Sequence, residues 1–348
     1  MLFRSTSNQQ TSEQTAAPAE RSSRRVTRSL SYISTELWVD GTNGSDTNEG
    51  SSSDPVKSLE KALELWGETS SIYTIHLKGN LDLTSTVTIP SGLTLKIESE
   101  GATLTGTGNS IDGLVLSPGS TLTGTGTLTM SGFKTALTAQ DGSTITDGTY
   151  VFRNNAGSSG TRGISLGGTV SGSTNKNSVT ITADDKSNTN FFESGVTFEN
   201  ATIKVTSQAR TWNDARNLNL RNTDLTVEGI GQTFYVNQLN MNDSTLTINP
   251  SFWGQTGMTI QGTSNIVNST INANAGSTSG ISVGVAGGTV NVTNSTLNFT
   301  NGGTGGLNVN TGNVIINNST IKGDGRNSGA LFGAQTNGSI QFTGNSLV

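Results

Sequence analysis

Short apolar triplets, each placing a polar residue between two aliphatic ones, recur along most of the chain, separated by runs of Gly, Ser, Thr and Asn. Alternation with a period of two is the mark of a strand with one face inward. Leu218-Asn-Leu220, Leu239-Asn-Met241 and Val290-Asn-Val292 have this form, and the wholly apolar Val314-Ile-Ile316 stands in the same place. Met258-Thr-Ile260, Ile281-Ser-Val283 and Leu307-Asn-Val309 form a second set. Ile75-His-Leu77, Leu81-Asp-Leu83, Val87-Thr-Ile89, Leu93-Thr-Leu95 and Leu114-Val-Leu116 carry the pattern toward the N-terminus, and Leu122, Leu128 and Ile145 continue it. The small polar residues between triplets predict tight turns.

One stretch departs from this pattern. Leu37-Trp38-Val39 predicts a strand, followed by a turn-rich loop from Asp40 to Asp46. Asp54-Pro55 predicts a helix start, because Asp accepts backbone N–H bonds as N-cap and Pro fits the first helical position. Val56, Leu59, Leu63 and Trp66 follow at helical spacing, with Ala62 beside them.

The triplets belong to a repeat. Asn200-Ala-Thr-Ile203, Asn222-Thr-Asp-Leu225, Asp243-Ser-Thr-Leu246, Asn268-Ser-Thr-Ile271, Asn294-Ser-Thr-Leu297 and Asn318-Ser-Thr-Ile321 align in one frame. Their aliphatic residues are 22, 21, 25, 26 and 24 positions apart. One repeat therefore reads as three short strands joined by turns. Such a unit cannot bury its own apolar face, so it must stack on its neighbours, about 4.8 Å away, with strands bonded to their equivalents above and below. The predicted fold is all-β: a right-handed, single-stranded parallel β-helix with three short strands per coil and an N-terminal capping helix. Handedness follows the general rule for parallel crossovers. The column Asn200, Asn222, Asp243, Asn268, Asn294 and Asn318 is expected to form a structural ladder, since Asn tolerates left-handed backbone and stacked amides can bond along the axis. Sequons such as Asn268-Ser-Thr270 are explained by that ladder rather than by glycosylation.

Three segments follow. Residues 1–35 read as a disordered polar and basic linker, with Arg21, Arg24, Arg25 and Arg28 clustered. Residues 36–71 hold the strand, loop and capping helix. Residues 72–348 hold the coils. Leu347 lies 26 residues after Ile321, so the chain is expected to stop inside a coil, as a fragment of a longer protein would.

Composition narrows the function. Gly is 44 of 348 residues and charged residues are 13%, about half the usual share of roughly 25%. Cys is absent, which excludes disulfides and thiolate metal sites. A net charge of −5 argues against a nucleic-acid partner. No apolar run approaches the roughly 20 residues of a membrane span.

Leu37–Leu65, "LWVDGTNGSDTNEGSSSDPVKSLEKALEL", resembles the N-terminal strand, glycine-rich loop and Pro-started cap of the pectin-lyase-like β-helix superfamily. Together with the coils, the resemblance covers roughly residues 37–348. The superfamily includes pectate lyases, polygalacturonases, phage tailspikes and Gram-positive surface adhesins. The Ser/Thr/Asn-rich coils are most similar to the adhesins, which implies an extracellular protein, secreted or attached to a cell wall. It also implies a monomeric rod with a glycan or host protein as partner and no cofactor.

Catalysis is weighed against that reading. A polygalacturonase-like site needs several carboxylates with His and a basic residue. The single His, His76, is expected to be structural, and Asp184-Asp185 to lie in a solvated turn. A lyase-like site needs carboxylates around Ca²⁺ and an Arg base. Glu193, Glu199, Asp214, Asp224 and Glu228 lie near Arg210, Arg216 and Arg221 in sequence, and a solvated charged strip is the expected use of them. Ca²⁺ is implied under the lyase alternative alone, and a passive stalk is the third alternative. The ligand-binding candidates are Arg210, Trp212, Asp214, Arg216, Arg221, Tyr235 and Trp253, because Trp and Tyr faces stack on sugars and Arg pairs with acids. Ala209–Arg216 is expected to be a loop. Phe198 and Phe234 are expected in the core.

Overall fold

The structure is a computed structural model. It describes residues 35–68, 72–155, 163–185, 192–207, 212–230, 233–250, 257–274, 281–300, 305–323 and 330–348. The chain divides into two units, and the second, Ser34–Val348, is a right-handed parallel β-solenoid. Its described strands form one continuous parallel sheet, wound so that each strand pairs with its equivalents in the windings before and after.

The repeat frame holds residue by residue. Ile203 pairs with Leu225, Leu225 with Leu246, Leu246 with Ile271, Ile271 with Leu297 and Leu297 with Ile321. All of them are buried. They continue upward through Ile181 to a core of Val, Leu, Ile and Phe that runs through the solenoid. Phe198 and Phe234 lie in that core, fully buried. Each buried aliphatic side chain is worth about 1.5–3 kcal/mol relative to exposure. That gain exists only when another winding sits above or below.

The turn before these strands sets the register. Asn200, Asn222, Asp243, Asn268, Asn294 and Asn318 all have φ between 44° and 51°. Left-handed backbone costs most side chains about 1–2 kcal/mol, and Asn and Asp least. The Asn222 amide donates to Asn200 Oδ1 at 2.7 Å, and Asn294 to Asn268 Oδ1 at 3.4 Å. Asp243 carries no amide, and it accepts instead from Asn242 Nδ2 at 2.7 Å. The left-handed turn also reverses the direction of the backbone bonds. Asn222 N–H donates forward to Asn242 O and Asn268 N–H forward to Thr293 O, whereas Thr270 N–H donates back to Ser244 O.

The residue between these two, usually Ser, has its N–H pointing forward with no carbonyl to meet. A hydroxyl from the next winding meets it. Thr223 N–H donates to Ser244 Oγ, Ser244 N–H to Ser269 Oγ, Ser269 N–H to Ser295 Oγ and Ser295 N–H to Ser319 Oγ, at 3.0–3.1 Å. Each of these hydroxyls then donates to the carbonyl two residues before it, at 2.6–2.7 Å. Thr223, Ser244, Ser269, Ser295 and Ser319 are buried. The relay satisfies both partners where water does not reach.

The N-terminal end is closed by β1 (Glu36–Asp40), the loop after it and α1 (Leu59–Gly67). β1 pairs on one side with β2 (Thr74–Leu83). Its other edge is filled by the loop: Trp38 N–H donates to Gly50 O, Asp40 N–H to Val56 O and Val56 N–H to Trp38 O. A covered edge cannot recruit another chain. Leu59 and Ala62 of α1 are buried against this end, and Trp66 Nε1 donates to Ile72 O at 3.1 Å.

The helix start differs from the sequence expectation. Its N-cap is Ser58, not Asp54, with Ser58 Oγ accepting from Lys61 N–H at 3.2 Å. Val56 is committed to a bridge with Val39, which keeps Asp54-Pro55-Val56 out of the helix. Asp46 holds the junction by accepting from Lys57 N–H, Ser58 N–H and Ser58 Oγ, each at 2.9 Å. Burial alone would raise the Asp46 carboxyl, but these donors and the Lys57 charge leave it below the ordinary range.

Replacing Ser269 by Ala leaves the buried Ser244 N–H without its acceptor, while Val267 O keeps the Asp243 N–H. The expected loss is about 1–3 kcal/mol, read as a lower urea midpoint for the whole chain. Thr270→Val, on the half-buried outward face, is expected to stay within about 0.5 kcal/mol. Equal midpoints for the two variants would contradict the relay.

Candidate functional site

The described residues form a cleft of about 600 Å³ on the outside of the first windings. Asp40 ends β1, and Lys78 lies beside it in register on β2. Glu100, Gly101 and Thr103 come from β4 (Thr94–Gly106), after β3 (Val87–Ile89) has turned the chain round. The strand Thr127–Ser131 and the turn before it complete the lining. Gly79 and Gly101 sit at the bend with φ of +82° and +78°. A Cβ on Gly79 would lie 2.8 Å from Thr42 Oγ1, and one on Gly101 2.8 Å from Thr127 O. Glycine lets the windings close up here.

The charges in the cleft are mutually occupied. Lys78 Nζ lies 3.6 Å from Asp40 Oδ2 and 3.5 Å from Glu100 Oε1. Asp40 is 4% exposed, and its Oδ1 accepts from Thr42 N–H and Asn43 N–H, each at 2.9 Å. Burial by itself would raise its carboxyl. The N–H groups of Asn43 and Thr42, the Asn43 amide and Lys78 outweigh that and hold it below the usual range. Glu100 is also held low, first by its own backbone N–H and then by the Ser99 hydroxyl at 3.0 Å, with Lys78 adding to both.

Beside the cleft, Trp38 and His76 stack on adjacent windings, ring centroids 3.9 Å apart and 7° from parallel. His76 is 4% exposed. Its Nδ1 lies 2.7 Å from Glu98 Oε1 and its Nε2 3.4 Å from Glu36 Oε2. Through the Trp38 stack and the Nδ1 contact to Glu98, the ring ties three successive windings together across β1, β2 and β4.

The residues singled out from sequence fare variously. Arg210 and Trp253 lie outside the described residues. Trp212, Asp214 and Arg216 fall within the strand Trp212–Arg221, so the segment expected to be a loop is strand from Trp212 onward. Its backbone pairs Trp212 with Phe234 and Ala215 with Val236 across a register shift. Stacking on the next winding overrides the poor strand propensity of Asn-Asp-Ala-Arg. Arg221 is exposed at the end of this strand, between Glu199 and Asn242 in register. Tyr235 is half-buried, between buried Phe234 and Val236, and lies in register with Thr259. Asp184 and Asp185, expected in a turn, end the strand Val179–Asp185 in register with Thr206 and Ser207. That strand is extended by its neighbour's ladder.

Two acids of the central strip have partners too. Asp224 Oδ1 lies 2.7 Å from Lys176 Nζ, and Glu228 Oε2 3.1 Å from Lys204 Nζ. Among the described residues, no group of three or more His, Asp or Glu is placed to hold a metal ion. No helix among them is long and apolar enough to cross a membrane.

No family model matches the chain. No curated protein matches it either. A solved structure similar to it is the crystal structure of Dettilon tailspike protein (gp208), at 11% identity and a TM-score of 0.33, covering 88% of this chain and 68% of that one.

Sequence reasoning missed the cleft. Gly-containing turns after Asp40, Lys78 and Glu100 were its one visible trace.

The depressed Asp40 carboxyl gives a pH test. Its stabilisation is present above the ordinary carboxylate range, near pH 4, and is lost as pH falls through the lower folded value. Asp40→Asn is therefore expected to be less stable than the parent at pH 7, with the gap closing as the pH falls below the ordinary carboxylate value. Urea midpoints across that range would show it, and a pH-independent gap would contradict it.

Proposed function

We propose that the chain is a non-catalytic extracellular binding module, secreted or cell-wall attached, of the pectin-lyase-like superfamily and akin to Gram-positive surface adhesins. It acts as a monomeric rod that holds host glycans, matrix proteins or other cells against the outside of its windings. The observation that carries this reading is the pairing of Asp40, Lys78 and Glu100 in the cleft. Glycoside cleavage by a carboxyl pair needs one acid with a raised pKa, protonated near neutral pH. Both acids here are held ionised. A cleft with fixed charges and many hydroxyls suits holding a polar ligand more than transferring protons to it.

Arg210, Trp212, Asp214, Arg216, Arg221, Tyr235 and Trp253 are proposed as a second contact region. Weak contacts on separate windings sum when one polymer or cell surface engages both. Ca²⁺ and other cofactors have no part in this reading.

A glycan array run alongside a polysaccharide-degradation assay tests it. Expected is retention of glycans with no new reducing or unsaturated ends. Turnover lost in Arg216→Ala or Asp214→Ala would overturn it, as would failure to retain any glycan or matrix protein.

A further inference from the structure

We infer that the N-terminal cleft takes an uncharged, polyhydroxylated ligand, a neutral sugar. This rests on the reading of the chain as a glycan-binding module and narrows it. The argument proceeds by exclusion. An acidic sugar needs a cation free to pair with it. Lys78 is the only cation among the described lining residues, and it is already shared between Asp40 and Glu100. An incoming carboxylate or sulfate would face the negative charge of those two acids. A cationic ligand or metal ion is excluded by the same contact, since the Lys78 ammonium fills the position between the carboxylates. An apolar ligand would cover hydroxyls and amides without pairing them, which is unfavourable.

What remains is a ligand that both donates and accepts hydrogen bonds and carries no charge. The lining matches it: Thr103, Thr127 and Thr129 offer hydroxyls, and Asn80 offers an amide. Thr103 and Thr129 are neighbours in register, each between two buried apolar residues, so both hydroxyls face outward into the cleft. The volume lies within the usual range for small-ligand sites, about 300–1,000 Å³.

The test uses the full chain on a panel of neutral gluco-, manno- and galacto-oligosaccharides beside oligogalacturonate and sulfated dextran. Expected is preferential binding of neutral oligosaccharides, unchanged between about 0.05 and 1 M salt because no ion pair is made. Thr103→Val with Thr129→Val removes two hydroxyls at constant shape and is expected to weaken binding by about tenfold or more. Thr270→Val with Thr296→Val, on the same face farther along, is expected to leave it unchanged. Asn80→Ala, at an exposed position, replaces the double variant if that one does not fold. Preference for the acidic probes, or a strong salt dependence, would overturn the inference while leaving the glycan-binding reading intact. Neutral-sugar binding indifferent to the cleft variants would also overturn it. Retention of no probe would overturn both.

Discussion

Vertical register is the constraint on which the molecule depends. A winding of 21–26 residues has no core of its own, so every buried aliphatic side chain relies on the winding before or after it. Hydrophobic contact alone would tolerate a slip by two residues, which keeps the aliphatic face inward. The left-handed Asn turn and the hydroxyl behind it do not. Each Ser accepts one N–H from the preceding winding and donates to its own turn. Such a slip would leave the preceding winding's N–H unpaired in a dry interior.

Because the corners fix the stack, the segments between them are free to differ in length. The same aliphatic column tolerates steps from 21 to 26 residues. The largest excursion is at the start, where Asp40 and Lys78 are register neighbours although a loop and a helix separate them in sequence. That excursion supplies both the cap and one wall of the cleft. Stability and the cleft thus come from the same insertion. Asp40 serves both: its hydrogen bonds hold the loop, and its charge helps to immobilise Lys78.

The fold was legible because period-two triplets and the Asn-Ser-Thr frame are short-range signals that repeat. The Asn column drew notice because Asn has few reasons to recur at one spacing. The Ser beside it did not, since Ser in a turn has an ordinary local explanation and its true partner is a backbone N–H some 25 residues away. Asp54-Pro55 carried a valid helix-start signal that lost to a strand bridge at Val56. The stretch from Trp212 to Arg216 looked like a loop for want of β-formers, and the ladder drew it into a strand. The cleft was hidden for a different reason. Asp40, Lys78, Glu100 and Thr129 come together only once three unequal windings are laid in register.

The stacking itself can be measured as a length. The chain has no Cys, so nitroxide labels placed at Thr180→Cys and Thr320→Cys report one distance. Six register steps separate these outward positions, by way of Thr202, Asp224, Thr245, Thr270 and Thr296. At about 4.8 Å per step, the expected separation is about 29 Å with a narrow distribution. A broad distribution, or a separation far from that value, would contradict the in-register solenoid.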